Sequence, residues 1–517
     1  MKKNQLANLS RRDVLTAGGM TMAASLLPSA SRSERTSRDA ISGRIYRRIG
    51  VQPFINLKAA YTIDGGLLTL PEVKQAMEEA SYYSVNLDEL MAKVGDRLGK
   101  LMGAEFGIVS AGGAASLTLA TAACVVGGDT EKIQFLPRLE DAGLKNEVIM
   151  PRASRNEYDH AIRAVGVKII NIETRQEFQA ALGKETAMVA VLGSNQGRIP
   201  LEEMVADAHQ AGVPVLVDAS PEVPLLPNPY VSKGVDLVGY SGGKYLAGPQ
   251  CSGILIGRKN LVQAAWVNCS PHHGLNRTMK VGKEEIMGLL AAVETFFEKR
   301  HYRQEVALWD SWLSTISERV SKVPGIRTEL LPPPGVNPHP ILNVEWNPEK
   351  IPITADELHQ WLLEGEPRLM THAEGEGHSF VVRAAGMKPG DDRIVAERLY
   401  ATFIAAGKRT KSPLAEPAAN IAGNWDVEIH FYSGSARHSF RLETAGNRVE
   451  GIHTGEFAEG KIHGTVESTR VTLRSKLPFD NIQLPYVFTG RLEGQRMSGE
   501  VDLDEHGVAR WTAVRRA

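Results

Sequence analysis

Asp236-Leu237-Val238-Gly239-Tyr240-Ser241-Gly242-Gly243-Lys244-Tyr245-Leu246-Ala247-Gly248-Pro249-Gln250 is an apolar run that stops in two glycines and a lysine. Leu237-Val238 reads as a buried strand, and the glycines let the backbone turn and come close to a ligand. The primary amine of Lys244, carried on that turn, can form a Schiff base with an aldehyde cofactor. Taken alone, a lysine in a glycine turn is more often a surface residue.

Two upstream segments change that balance. Val213-Pro214-Val215-Leu216-Val217-Asp218-Ala219-Ser220 is a strand that delivers an acidic residue to its carboxyl end, where open α/β sheets bind ligands. An aspartate so placed keeps the pyridine nitrogen of pyridoxal phosphate protonated, or it caps the next helix. Further upstream, Ile108-Val109-Ser110-Ala111-Gly112-Gly113-Ala114-Ala115-Ser116 leads from a strand into a helix. Its first N–H groups, unshielded at Gly112 and Gly113, meet the positive end of the helix dipole and form a cradle for a phosphate dianion. Neither G-x-G-x-x-G nor a Walker sequence is present, which argues against a nucleotide loop.

Around these motifs, apolar runs alternate with amphipathic stretches from about residue 45 to 330, the pattern of parallel strands under crossover helices. Helices are predicted over 71–83, 86–102 and 114–126, and a long helical stretch over 283–320. Strands are predicted at 107–109, 147–150, 168–170, 188–192, 213–217, 237–238 and 253–256. The fold class is therefore α/β: a mostly parallel central sheet in a large domain (45–300) and a small α+β domain (301–408). A polar, proline-containing linker (409–420) follows. Residues 421–517 then show about eight short alternating segments, which indicate an antiparallel sandwich or small barrel. In that region Gly451, Gly464 and Gly499 each follow an apolar residue by two positions and are expected at tight bends or bulges.

In this order, the strand-Gly-Gly-helix, strand-Asp and Ser-Gly-Gly-Lys-x-x-x-Gly-Pro-Gln motifs resemble fold-type-I pyridoxal-phosphate enzymes of the bacterial selenocysteine synthase family. That family includes proteins similar to D-glucosaminate-6-phosphate ammonia-lyase. The resemblance covers residues 45–405, with Phe54-Ile55-Asn56, Gly65-Gly66, the tract from Arg155 to Arg163 and Gly282-Lys283-Glu284-Glu285. It implies Lys244 as the Schiff-base lysine and Asp218 as the pyridine partner, with Gly112, Gly113, Ala114 and Ser241 around the phosphate. It also implies Arg277 and Lys280 as substrate-anion ligands and a homodimer or higher homo-oligomer. Arg277 and Lys280 stand where the resemblance to selenocysteine synthases implies two arginines, and the second is here a lysine, a point charge without the bidentate fork. Arg155 and Tyr158 are expected to line the other face of the cofactor and to bind substrate. Arg368, in preference to Arg383, is expected to clamp a substrate carboxylate.

The 517 residues carry 59 Lys+Arg against 60 Asp+Glu, a net charge of −1 that gives no general attraction to a nucleic-acid backbone. Cys124, Cys251 and Cys269 lack the paired spacing of a zinc site or disulfide framework, and His272-His273 lacks a third ligand, so no metal is expected. Ser10-Arg11-Arg12 before the weakly apolar run 14–27 resembles a twin-arginine export signal over residues 1–35, too short and too small-residue-rich for a stable membrane anchor. Export machinery is then one partner, a small-molecule amino acid another, and the periplasm or another exported location the site of action. The leading expectation is an α,β-eliminating lyase acting on a polar amino acid or amino sugar acid. A selenium or sulfur transferase, a racemase or aminotransferase, and an exported scaffold with a lipocalin-like β-domain are its alternatives.

Overall fold

The computed structural model describes residues 43–333, 339–372, 377–410 and 413–516. The export signal expected over residues 1–35 lies outside the described residues. The chain divides into one unit ending at Pro53 and a second from Phe54 to Ala517. The described part of the first carries a four-residue helix, Arg44–Arg47.

The second unit is built on a seven-stranded sheet. Its strands are β1 (Phe106–Ser110), β2 (Glu147–Pro151), β3 (Lys168–Ile172), β4 (Thr186–Leu192), β5 (Val215–Asp218), β6 (Leu237–Ser241) and β7 (Gly253–Gly257), in the spatial order β1-β7-β6-β5-β4-β2-β3. All neighbours are parallel except β7, which runs antiparallel to both β1 and β6. The central strands are apolar at successive positions because helices cover both faces; Val215, Leu216 and Val217 are all buried. Register then aligns the three motifs. Ser110 of β1 and Ser241 of β6 both pair with Gly253, and Asp218 of β5 pairs with Gly239, so all three strand ends reach one edge of the sheet.

The three helices predicted near the N-terminus form over Pro71–Ser81, Leu87–Met102 and Gly113–Val126. Asn86 caps the second by accepting the N–H groups of Asp88 and Glu89, and Gly103, at φ 71°, ends it. The stretch predicted as one long helix is two, Lys283–Glu298 and Tyr302–Val320. Between them Arg300 turns inward, paired with Glu305 and donating to the Tyr245 carbonyl at 2.8 Å, directly behind the Lys244 turn.

A second hydrophobic core joins Leu57 to residues between Trp309 and Ala406. It is organised by the antiparallel strands β8 (Ile326–Leu331), β9 (Ile341–Trp346) and β10 (Ser379–Arg383), with β9 central. A third core lies inside the C-terminal region, where β11 (Gly423–His430), β12 (Ser435–Ala445), β13 (Arg448–Thr454), β14 (Glu459–Glu467), β15 (Arg470–Phe479), β16 (Ile482–Glu493), β17 (Arg496–Asp502) and β18 (Val508–Arg515) form a closed barrel. Of the two architectures left open by the sequence the barrel is realised, because β18 pairs back onto β11.

Gly451, Gly464 and Gly499 are not bulges. Pairing runs through each without a slip, and a Cβ on any of them would overlap a backbone carbonyl of the neighbouring strand, at Arg441, Thr472 and Thr489 respectively. They permit the close interstrand approach that tight coiling of a small barrel requires. Among the described residues no helix is long and apolar enough to cross a membrane.

Candidate active site

At the end of β1 the chain enters its helix through Gly112, whose φ of 145° only glycine adopts readily. Gly253 of β7 lies against the Gly112 carbonyl so closely that a Cβ there would overlap it. The carbonyl is held in place by Ser110 Oγ, which donates to it at 2.8 Å and lies 2.7 Å from Ser116 Oγ. The N–H groups opening the Gly113–Val126 helix are therefore presented without a side chain in front of them. A Cβ on Gly113 would stand 2.7 Å from Ser220 Oγ and 3.6 Å from Ser241 Cβ, so two hydroxyl-bearing residues converge on the start of that helix. This is the chemistry of a phosphate cradle.

Asp218 closes β5, and the Ser220 N–H donates to its Oδ1 at 2.9 Å. Burial pushes the carboxyl above the ordinary carboxylate range, opposed by the Ser220 hydrogen bonds and by the charge of Lys244. Lys244 sits in a turn pinned by Ala247 N–H to the Lys244 carbonyl (2.8 Å), Gly248 N–H to the Gly242 carbonyl (2.9 Å) and Gly242 N–H to the Ser252 carbonyl (3.0 Å). Ala247 adopts φ 51°, a left-handed conformation for a non-glycine residue in the turn that presents the lysine. Burial lowers the basicity of the Lys244 amine, with Asp218 and Glu157 pulling the other way. The Tyr158 ring centroid lies 5.7 Å from Lys244 Nζ. The structure thus brings Gly112, Gly113, Ala114, Ser241, Asp218, Lys244 and Tyr158 to one place.

Two further residues belong to this group and carry no local sequence signal. Ser220 is seen only because Gly113 has no side chain in front of it. Glu222 is 6% exposed. The Tyr230 hydroxyl lies 2.7 Å from each of its oxygens, and burial, reinforced by the nearby charge of Asp218, pushes its carboxyl up to about 7. A raised carboxyl value means that the folded state keeps a proton which the unfolded chain releases. Glu222 therefore withdraws stability as pH rises from about 4.5 to about 7. Glu222→Gln is expected to remove roughly 3 kcal/mol of that pH-dependent loss. Denaturant unfolding of both proteins at about pH 5 and about pH 7.5 measures it, and equal pH slopes would refute the assignment.

The expected substrate ligands are dispersed. Arg155 has a side chain only 5% exposed and is engaged by Asp159 (2.5 Å), Asn171 (2.8 Å) and, from the barrel, Asp480 (2.6 Å). Arg277 donates to Ser270 Oγ at 3.2 Å, and Lys280 is exposed. Arg368 donates to the Leu363 carbonyl at 2.7 Å. Arg383, at the end of β10, has Nη1 buried without a hydrogen-bond partner among the described residues, and its charge bears on both Tyr245 and His339, which are hydrogen-bonded to each other. His272 is occupied by the Trp266 and Cys269 carbonyls and by Asp88.

A family model described as SelA, L-seryl-tRNA selenium transferase, matches residues 73–323. The chain is 29% identical over 299 residues to D-glucosaminate-6-phosphate ammonia lyase of Salmonella typhimurium, an alignment covering 55% of this chain and 78% of that one. It is 33% identical over 296 residues to 5'-C-glycyluridine monooxygenase-decarboxylase of a Streptomyces species, covering 54% and 72%. The solved structure of D-glucosaminate-6-phosphate ammonia-lyase matches with a TM-score of 0.62 at 26% identity, over 70% of this chain and 99% of that one. The mixed, mostly parallel sheet is thus the fold expected from the sequence, and the family match stops well short of the barrel.

Proposed function

Because the chain belongs to the L-seryl-tRNA selenium transferase family of pyridoxal-phosphate enzymes, we propose that it is a lyase acting on a polar amino acid or amino sugar acid. The observation that carries this reading is the half-buried Lys244 amine, within electrostatic reach of Asp218 and 5.7 Å from the Tyr158 ring centroid. The residues fit the cofactor: Gly113 and Ala114 N–H groups with Ser220 and Ser241 for its phosphate, Asp218 for its ring nitrogen and Lys244 for its aldehyde. When bound, pyridoxal phosphate withdraws electrons from the substrate α-carbon and makes its hydrogen acidic.

Lys244 Nζ takes that proton. Burial keeps a larger fraction of the amine in its free-base form near neutral pH than an exposed lysine has, which suits a general base. The same nitrogen then delivers a proton to the departing β-hydroxyl, which leaves as water. Hydrolysis of the resulting enamine releases ammonia and a 2-oxo acid. Asp218 stands at the end of β5, where the positive charge of Lys244 and the Ser220 hydrogen bonds oppose the effect of its burial, and the Tyr158 ring lies beside Lys244 Nζ. Arg383, with a buried N–H free to donate, is the better-placed clamp for the substrate carboxylate than Arg368.

Similarity to an ammonia lyase over most of that protein's length supports elimination. Transfer of selenium or sulfur to a seryl group is the second reading, favoured by the family description. Action outside the cytoplasm and a homodimeric state complete the proposal; cell fractionation and sedimentation check them.

The first experiment is the visible spectrum of the purified protein before and after borohydride, with peptide mapping across Lys244. A band that borohydride removes and a pyridoxyl adduct on Lys244 are expected, followed by ammonia release from serine, threonine or a glucosaminate. No band even after adding pyridoxal phosphate would overturn the enzyme reading in favour of a scaffold. Cofactor without ammonia release would favour the transferase.

A further inference from the structure

We propose that one end of the C-terminal barrel forms the outer wall of the amino-acid site, and that the aromatic pocket at that end takes an uncharged ring on the substrate side chain. This rests on the lyase reading and deepens it by naming a substrate class, ring-bearing amino acids.

An up-and-down barrel sends alternate connections to opposite ends. Residues 431–434, 455–458, 480–481 and 503–507 therefore lie together at one end. One of these connections contacts the large domain beside the site, and a second carries a charge that reaches Tyr158. Asp480, at φ 54° in the turn between β15 and β16, is 2.6 Å from Arg155 Nη2, and Asn481 Oδ1 accepts from the same nitrogen at 3.4 Å. Arg155 is three residues from Tyr158, whose ring stands over Lys244. Burial raises the Tyr158 hydroxyl, and the charges of Glu157 and of Glu505, in the barrel connection 503–507, add to that.

The same two hairpins line a cavity of about 320 Å³. Leu503 and His506 flank Glu505, Leu484 and Tyr486 follow Asn481 along β16, and Phe431 and Tyr432 line it from the first connection. Its lining holds no carboxylate, guanidinium or ammonium group, and its one imidazole, His506, lies 3.9 Å from Glu505, so a charged tail entering it would lose hydration with little compensation. Aromatic faces accept instead a ring with apolar faces, aryl or pyranosyl, through stacking and C–H contact. The volume exceeds that of one such ring, and most of a small-molecule site is usually apolar with few polar groups. The amino-acid head at Lys244 and the ring in the barrel would thus be held by two domains of one chain.

The test uses the full-length protein and two probes without a free amine, N-acetyl-tyrosinamide and methyl β-glucopyranoside, read by saturation-transfer NMR. Saturation of the ring protons of at least one probe is expected, and which one saturates identifies the ring. Ser433→Trp, at an exposed position on the pocket rim, is expected to cut that signal at least fivefold with pyridoxal phosphate still loaded on Lys244. It should also raise KM for ring-bearing amino-acid substrates about tenfold more than KM for serine. Failure of both probes to saturate, or equal saturation in Ser433→Trp, would overturn the pocket assignment. Probe binding lost in the variant, in a protein that never takes the cofactor, would uphold the pocket and sink the lyase reading instead.

Discussion

Replacement of Lys244 by alanine is expected to lower turnover by roughly four orders of magnitude or more, the upper part of the range for losing a general acid–base group. The side chain is assigned two duties that no neighbour can assume: attachment of the cofactor aldehyde, and proton transfer at the α-carbon. Asp218 faces the same space but carries no amine, and Tyr158 presents a ring. The turn itself is held by backbone hydrogen bonds from Gly242, Ala247 and Gly248, so the substitution should leave the fold in place. Steady-state rates with the best amino acid from the ammonia screen check the prediction, with circular dichroism as the control for folding. A small added amine such as methylamine should restore part of the rate. Activity retained at the wild-type level, with unchanged specificity, would remove Lys244 from the chemistry.

The second large effect concerns acid stability of the barrel. His453 is fully buried, with Nε2 2.7 Å from His438 Nδ1 and Nδ1 2.7 Å from Ser475 Oγ. Phe440, Tyr486 and Phe488 surround it, and among the described residues the charge of Glu456 bears on His438. Burial, with some repulsion from His438, lowers its value to about 3 from 6.5, so the folded barrel resists a proton that the unfolded chain accepts. Its contribution is fully present above about pH 6.5 and is lost as pH falls toward about 3, up to roughly 4–5 kcal/mol. Burial lowers the His438 value too, in the same direction. Glu222 acts with the opposite sign between about pH 4.5 and 7, so the histidine contribution must be read as a difference between proteins. Denaturant unfolding followed through the barrel tryptophans Trp425 and Trp511 should show a much steeper loss on acidification in the wild type than in His453→Leu. The variant is expected to be less stable at neutral pH, because Ser475 and His438 lose a partner. Parallel pH dependences in the two proteins would disprove the assignment.

Several features were legible in the chain because local rules determine them. A lysine after two glycines at a strand end, an aspartate closing the preceding parallel strand and a glycine pair opening a helix each need only backbone conformation and the polarity of one element. Gly112 at φ 145° and Asn86 at its helix start are of the same kind. Strand register in the sheet then brought those local features to one edge, as their order along the chain led one to expect.

Other features depend on what approaches from far along the chain, which periodicity does not encode. Glu222 is a buried acid only because Tyr230 and Asp218 surround it. Arg155, expected at the substrate, is taken by Asp480 from the barrel, 325 residues later. The sequence reading prefers Arg368 to Arg383, and only packing leaves Arg383 with a buried N–H to offer. Whether eight alternating segments make a sandwich or a barrel rested on a single pairing, β18 with β11, and Gly451, Gly464 and Gly499 read as bends or bulges until the neighbouring carbonyl was in view. The sequence by itself determined which candidate groups stand at which strand ends. The tertiary structure alone decided which charges are buried, which are already paired and what walls the site, because burial and pairing are properties of the space between elements.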